Sequence, residues 1–89
     1  MDNEHGGKIV VWGEGVCTEC QFVFEQIQTK FPQVEKRSVT DDLSGLEDTM
    51  LRADIQGAIA MQNNTYPVVQ LGSIAYEWRE AFQIMGLEE

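Results

Sequence analysis

The sequence predicts a single α/β domain on a four-stranded mixed sheet with three helices, in the order β-α-β-α-β-β-α. Three observations predict it. A short apolar run, Lys8-Ile9-Val10-Val11-Trp12, leads into a segment with Phe22, Val23, Ile27 and Phe31 at helical spacing. A second apolar run, Val68-Val69-Gln70-Leu71, joins Ile74-Ala75-Tyr76 through Gly72-Ser73, which reads as a hairpin. The chain has 89 residues, enough for one hydrophobic core but not two.

The elements follow in order. Residues 1–7 are polar and acidic and read as a frayed lead-in. The first strand is Lys8–Trp12. The first helix runs from about Thr18 to Phe31, where Pro32 stops it. Val34–Val39 is the second strand. The second helix starts near Asp42 or Ser44 and continues to Met61, with Leu43, Leu46, Met50, Leu51, Ile55, Ile59 and Ala60 as its apolar stripe. Gly57 weakens that helix by about 1 kcal/mol of propensity. Asn63-Asn64 breaks the pattern before the third strand. The last helix covers about Trp78 to Met85 and ends at Gly86. A strand–helix–strand start makes the first two strands parallel, and the hairpin supplies the antiparallel half.

Composition narrows the function. Fifteen acids against six bases give a net charge of −9. Phosphate contacts need a basic surface, so nucleic-acid binding is disfavoured. The charge serves solubility or, more specifically, steering toward a basic patch on a protein partner. No apolar run approaches the roughly 20 residues of a membrane span. The polar start does not read as a secretory signal, which points to the cytoplasm.

Cys17-Thr18-Glu19-Cys20 contains both cysteines of the chain, at the point where the first strand hands over to the first helix. The unpaired N–H groups and positive dipole end of a helix favour an anion, so a thiol there is favoured as thiolate, the species that attacks disulfides. A second cysteine one turn later can close the ring. Three other readings stand beside this one. Inert buried thiols would leave the spacing unexplained. A zinc site needs four ligands, and the only other candidate donor of the cysteine–histidine type is His5. A structural disulfide over so short a loop would constrain little of the unfolded chain. In a cytoplasmic chain a vicinal pair is usually catalytic or metal-binding, and redox chemistry is the favoured reading.

These residues resemble a known family. Val10-Val11-Trp12 followed by Cys17-Thr18-Glu19-Cys20, and then Thr65-Tyr66-Pro67-Val68-Val69 some 45 residues later, is similar to the glutaredoxins. The likeness extends from Lys8 to Met85 in length and element order. It implies a thioredoxin-like fold of glutaredoxin type, with Cys17 as attacking thiol and Cys20 as resolving thiol of a redox-active disulfide. It implies no other cofactor and no metal. It further implies a cis peptide before Pro67, with the proline placed against the cysteine pair. The Tyr66 backbone, flanked by Thr65, would then bind an extended substrate chain by strand addition. Thr18 stands where many relatives have proline, and its hydroxyl is a candidate donor to the Cys17 sulfur.

Two departures bear on the substrate. Glutaredoxins commonly carry lysine three residues before the first cysteine, to hold a glutathione carboxylate, and here Glu14 stands there. Their Gly-Gly after the fourth strand, with its following acidic residue, is replaced by Tyr76-Glu77 and then Trp78-Arg79. Glu14 and Glu19 also oppose the helix dipole, so the Cys17 thiolate is expected to be favoured less than in lysine-bearing relatives. The NrdH-type redoxins, hydrogen donors of ribonucleotide reductase, also lack the glutathione determinants, and Pro67-Val68-Val69, Tyr76 and Trp78 resemble that branch. Its Trp-Ser-Gly-Phe-Arg-Pro stretch is absent. The resemblance implies a monomeric dithiol oxidoreductase in electron transport, reduced by a thioredoxin reductase rather than glutathione. Its substrate would be a protein disulfide, with ribonucleotide reductase the leading candidate. The alternative is an acidic thioredoxin-fold binding module whose cysteine pair is not catalytic. Trp12 is expected in the core rather than flanking the redox loop, and Phe22, Phe24 and Phe31 as core or helix-packing residues, with packing also the default for Tyr76 and Trp78.

Overall fold

In the computed structural model, which describes residues 8–15 and 17–87, the sheet is built outward from β1 (Ile9–Gly13). Every residue of β1 is buried. A strand covered on both faces needs apolar residues at successive positions rather than alternation. Ile9 and Val11 face one core, Val10 and Trp12 the other. The strand order is β2-β1-β3-β4, with β2 (Glu35–Ser38) parallel to β1. β3 (Val68–Leu71) runs antiparallel to β1, and β4 (Ile74–Glu77) antiparallel to β3. The expected mixed four-stranded sheet is therefore present. The expected lead-in, residues 1–7, lies outside the described residues.

Helices cover both faces. α1 (Thr18–Lys30) buries Val23 and Ile27, and α4 (Trp78–Met85) buries Ala81, Phe82 and Met85, all in the core that contains Val11 and Val69. α3 (Thr49–Met61) buries Leu51, Ile55, Ala58 and Ile59 against Val10, Trp12 and Val68 on the opposite face. At the sheet's outer edge, the Asp54 carboxylate of α3 accepts the Ala75 N–H of β4 at 2.6 Å.

The helix count differs from expectation. The second helix is not continuous from Asp42 or Ser44 to Met61. A four-residue helix, α2 (Val39–Asp42), runs into a 3-10 turn at Leu43–Gly45, and Leu46 is extended, giving four α-helices among the described residues rather than three. Two caps explain the break. Ser38 accepts the Asp41 N–H at 3.2 Å and so starts α2. Asp48 accepts the Leu51 N–H at 3.0 Å and starts α3 afresh. Leu43 and Leu46 both pack on the α3 core, so an interrupted segment mimics one helical stripe. Strand two also ends early, because Val39 is already helical.

The core tryptophan is as expected: Trp12 has no exposed surface. Its Nε1–H donates to Gln70 Oε1 at 3.0 Å, and Gln70 Nε2 donates to the Gly72 carbonyl at 2.7 Å. A buried amide in a strand is thereby satisfied at both ends.

Candidate functional site

β1 ends where the cysteine loop begins, so the sheet delivers Cys17 and Cys20 to one end of the molecule. Cys17 is the N-cap of α1: its backbone is extended and its Sγ accepts the Cys20 N–H at 3.1 Å. Sulfur thus takes the position that a serine or aspartate oxygen fills in an ordinary cap. The two residues form a disulfide with Cα atoms 5.2 Å apart. The sulfurs are not equivalent. Cys17 is half-buried, while Cys20 is 6% exposed.

A cleft of about 830 Å³ opens at the pair, bounded by Gly13, Cys17, Cys20 and Phe22 on one side and by Lys36 and Arg37 of β2 on the other. Thr18, exposed at the first turn, also borders it. Thr65, Tyr66 and Pro67 do not. The Tyr66–Pro67 peptide is cis, as the resemblance implied, and Pro67 is fully buried. That segment is fixed by Gln62, whose Nε2 donates to the Thr65 carbonyl at 3.1 Å and the Pro67 carbonyl at 2.9 Å. Its Oε1 accepts the Trp78 N–H at 2.9 Å, and Thr65 Oγ1 donates to the Gln62 carbonyl at 2.6 Å. Gln62 has no sequence signal, because a glutamine before Asn63-Asn64 reads as ordinary loop.

Three charged residues have defined partners. The Glu14 carboxylate accepts the Thr40 N–H at 3.2 Å and the Thr40 hydroxyl, so it is held by α2 rather than left free beside the sulfurs. Lys8 reaches Glu35 at 3.8 Å, at the end of β1 remote from the cysteine loop. Arg37 pairs with the same Glu35 at 3.3 Å. Among the cleft acids, Glu25 accepts from Gln21 Nε2 at 3.1 Å and Asp42 from the Ser38 N–H at 3.0 Å.

Phe22 packs against α4 from the surface, the helix-packing arrangement rather than the core one. It is 38% exposed, and its ring centroid lies 6.3 Å from Trp78 and 6.4 Å from Phe82. Phe24 and Phe31 are half-buried against the α1 core, and Trp78 is buried, 5.2 Å from Phe82 in an edge-to-face pair. One apolar ring therefore stands at the cleft beside Cys17.

Among the described residues no three His, Cys, Asp or Glu side chains gather as a metal site, and His5 lies outside them. No helix among them is long and apolar enough to cross a membrane. No family model, curated protein or solved structure matches the chain.

Proposed function

We propose that the chain is a thiol–disulfide oxidoreductase of the thioredoxin-like, glutaredoxin type. The observation that carries this reading is the Cys17–Cys20 disulfide at the head of α1, with one sulfur half-buried at a cleft and the other buried. In the reduced form the Cys17 thiolate attacks a target disulfide. A Cys17–substrate disulfide forms and one substrate thiolate leaves, taking a proton from solvent. The Cys20 thiolate then attacks Cys17 Sγ, the mixed disulfide breaks, and the second substrate thiol is released. Two electrons pass from the cysteine pair to the substrate. A reductase returns them, so the disulfide itself is the only redox group required.

The protein disulfide substrate is taken to bind along Tyr66, whose backbone has no hydrogen-bond partner among the described residues. Glu14 at the position of the usual lysine supports a thioredoxin reductase, rather than glutathione, as the source of electrons. Ribonucleotide reductase is the leading substrate by resemblance, and a cytoplasmic monomer fits such a donor.

Alkylation of the reduced protein at limiting reagent is expected to label Cys17 before Cys20. Preferential labelling of Cys20, or failure to re-form the disulfide reversibly, would remove the assignment. With NADPH the oxidised protein is expected to be reduced by thioredoxin reductase, at a rate about tenfold or more above that with glutathione. A pair that cycles but reduces no protein disulfide would favour the acidic binding module instead.

A further inference from the structure

We propose that Gly13 is a positioning residue for the resolving sulfur: the absence of a side chain there lets Cys20 Sγ lie against the end of β1 and close on Cys17. The inference rests on the redox reading above. Gly13 is the last residue of β1, buried and in register with Ser38 of β2. Gly15, Gly72 and Gly86 have left-handed φ values of 51°, 67° and 77°, so their backbones call for glycine. Gly13 is not among them; its strand backbone is one that any residue adopts. Glycine inside a strand is also destabilising relative to alanine. Its presence therefore has another cause, and the neighbouring sulfur supplies one.

A Cβ at position 13 would lie 2.8 Å from Cys20 Sγ and 3.2 Å from Cys20 Cβ, with no other such contact within 4 Å. Neither atom is the far end of a flexible side chain. Cys20 Cβ is fixed to α1, and Sγ is bonded to Cys17. By contrast, a Cβ at Gly45 or Gly57 meets nothing within 4 Å. The crowding thus falls on the oxidised ring. In the dithiol the Cys20 sulfur is no longer bonded and can turn away. An added methyl therefore disfavours the disulfide relative to the dithiol. It also hinders the second step, in which Cys20 attacks Cys17 Sγ and expels the substrate thiol, without touching Cys17 or its first attack.

The test compares Gly13→Ala in two backgrounds. With both cysteines present, ring closure after reaction with the disulfide of thionitrobenzoate is expected to slow tenfold or more. Equilibration against dithiothreitol should shift about tenfold toward the dithiol, a potential about 30 mV more positive. In a Cys20→Ser background, Gly13→Ala is expected to leave the rate of mixed-disulfide formation at Cys17 within about twofold. A general disturbance of the fold would slow both backgrounds alike, and that result overturns the inference, as does an unchanged closure rate and potential. If Gly13→Ala alone does not fold, adding Cys20→Ala must restore folding by removing the opposed sulfur, and failure to restore it also overturns the inference. Loss of the redox reading itself is seen separately, as a parent chain that reduces no disulfide.

Discussion

Gln62 joins three segments with one amide: the end of α3, the Thr65–Pro67 turn and the first N–H of α4. Truncation to alanine removes both carbonyl bonds and uncaps Trp78. At about 1 kcal/mol for each bond, discounted for partial exposure, Gln62→Ala is expected to cost about 2 kcal/mol and lower Tm by about 10 °C. Gln62→Glu keeps the acceptor for Trp78 and loses the donor to the two carbonyls, so calorimetry should find it less stable than the parent. A Tm unchanged in both variants would show that the amide does not hold the turn. At this scale the sequence was informative about chemistry and poor about partners. The cysteine pair, Pro67 and the core position of Trp12 were legible, because residue spacing and an unbroken apolar run are local signals. The Gln62 and Gln70 bonds, the Thr40 hold on Glu14 and the contact of Gly13 with Cys20 were not, because each joins residues that the fold alone brings together.

The elements divide in the same way. β1, α1, β3, β4 and α4 fall within a residue or so of expectation, since each has a strong period or a stop signal such as Pro32 or Gly86. The stretch from Val39 to Met61 misleads because hydrophobic periodicity reports which residues reach a core, not whether the chain between them is continuous. Leu43 and Leu46 reach it from a 3-10 turn and an extended residue. The caps at Ser38 and Asp48 were the available signals. Within α3, Gly57 lies in the helix interior, and a Cβ there meets nothing within 4 Å. Gly57→Ala is therefore expected to stabilise the protein by about 0.5–1 kcal/mol, read as a Tm rise of about 4 °C. A fall in Tm would mean that this surface of α3 is not open.

Over the whole molecule the charge is −9, and the disulfide cleft holds the acids Glu14, Glu25 and Asp42 against the bases Lys36 and Arg37. Lys8 and Arg37 both pair with Glu35, while the cleft acids Glu14, Glu25 and Asp42 take neutral donors. Reduction of a basic protein disulfide is expected to be steered. Its second-order rate should fall by about threefold or more as the Debye length shrinks from about 30 Å at 0.01 M salt to about 8 Å at 0.15 M. A rate indifferent to salt would argue that the net charge serves solubility alone. The same polar surface bears on the two open sides of the sheet. Among the described residues β2 pairs only with β1, and it carries the charged residues Glu35, Lys36 and Arg37 in succession, on alternating faces of the sheet. On the far side, β4 has its Ala75 N–H covered by Asp54. An unpaired strand is a template on which another copy can polymerise. A molecule adding at β2 would have to bring its own side chains beside a carboxylate, an ammonium and a guanidinium on successive residues, and one adding at β4 would have to displace a carboxylate from the N–H it needs. The sheet can thus present its disulfide end to a crowded solution without seeding fibres from its own flanks.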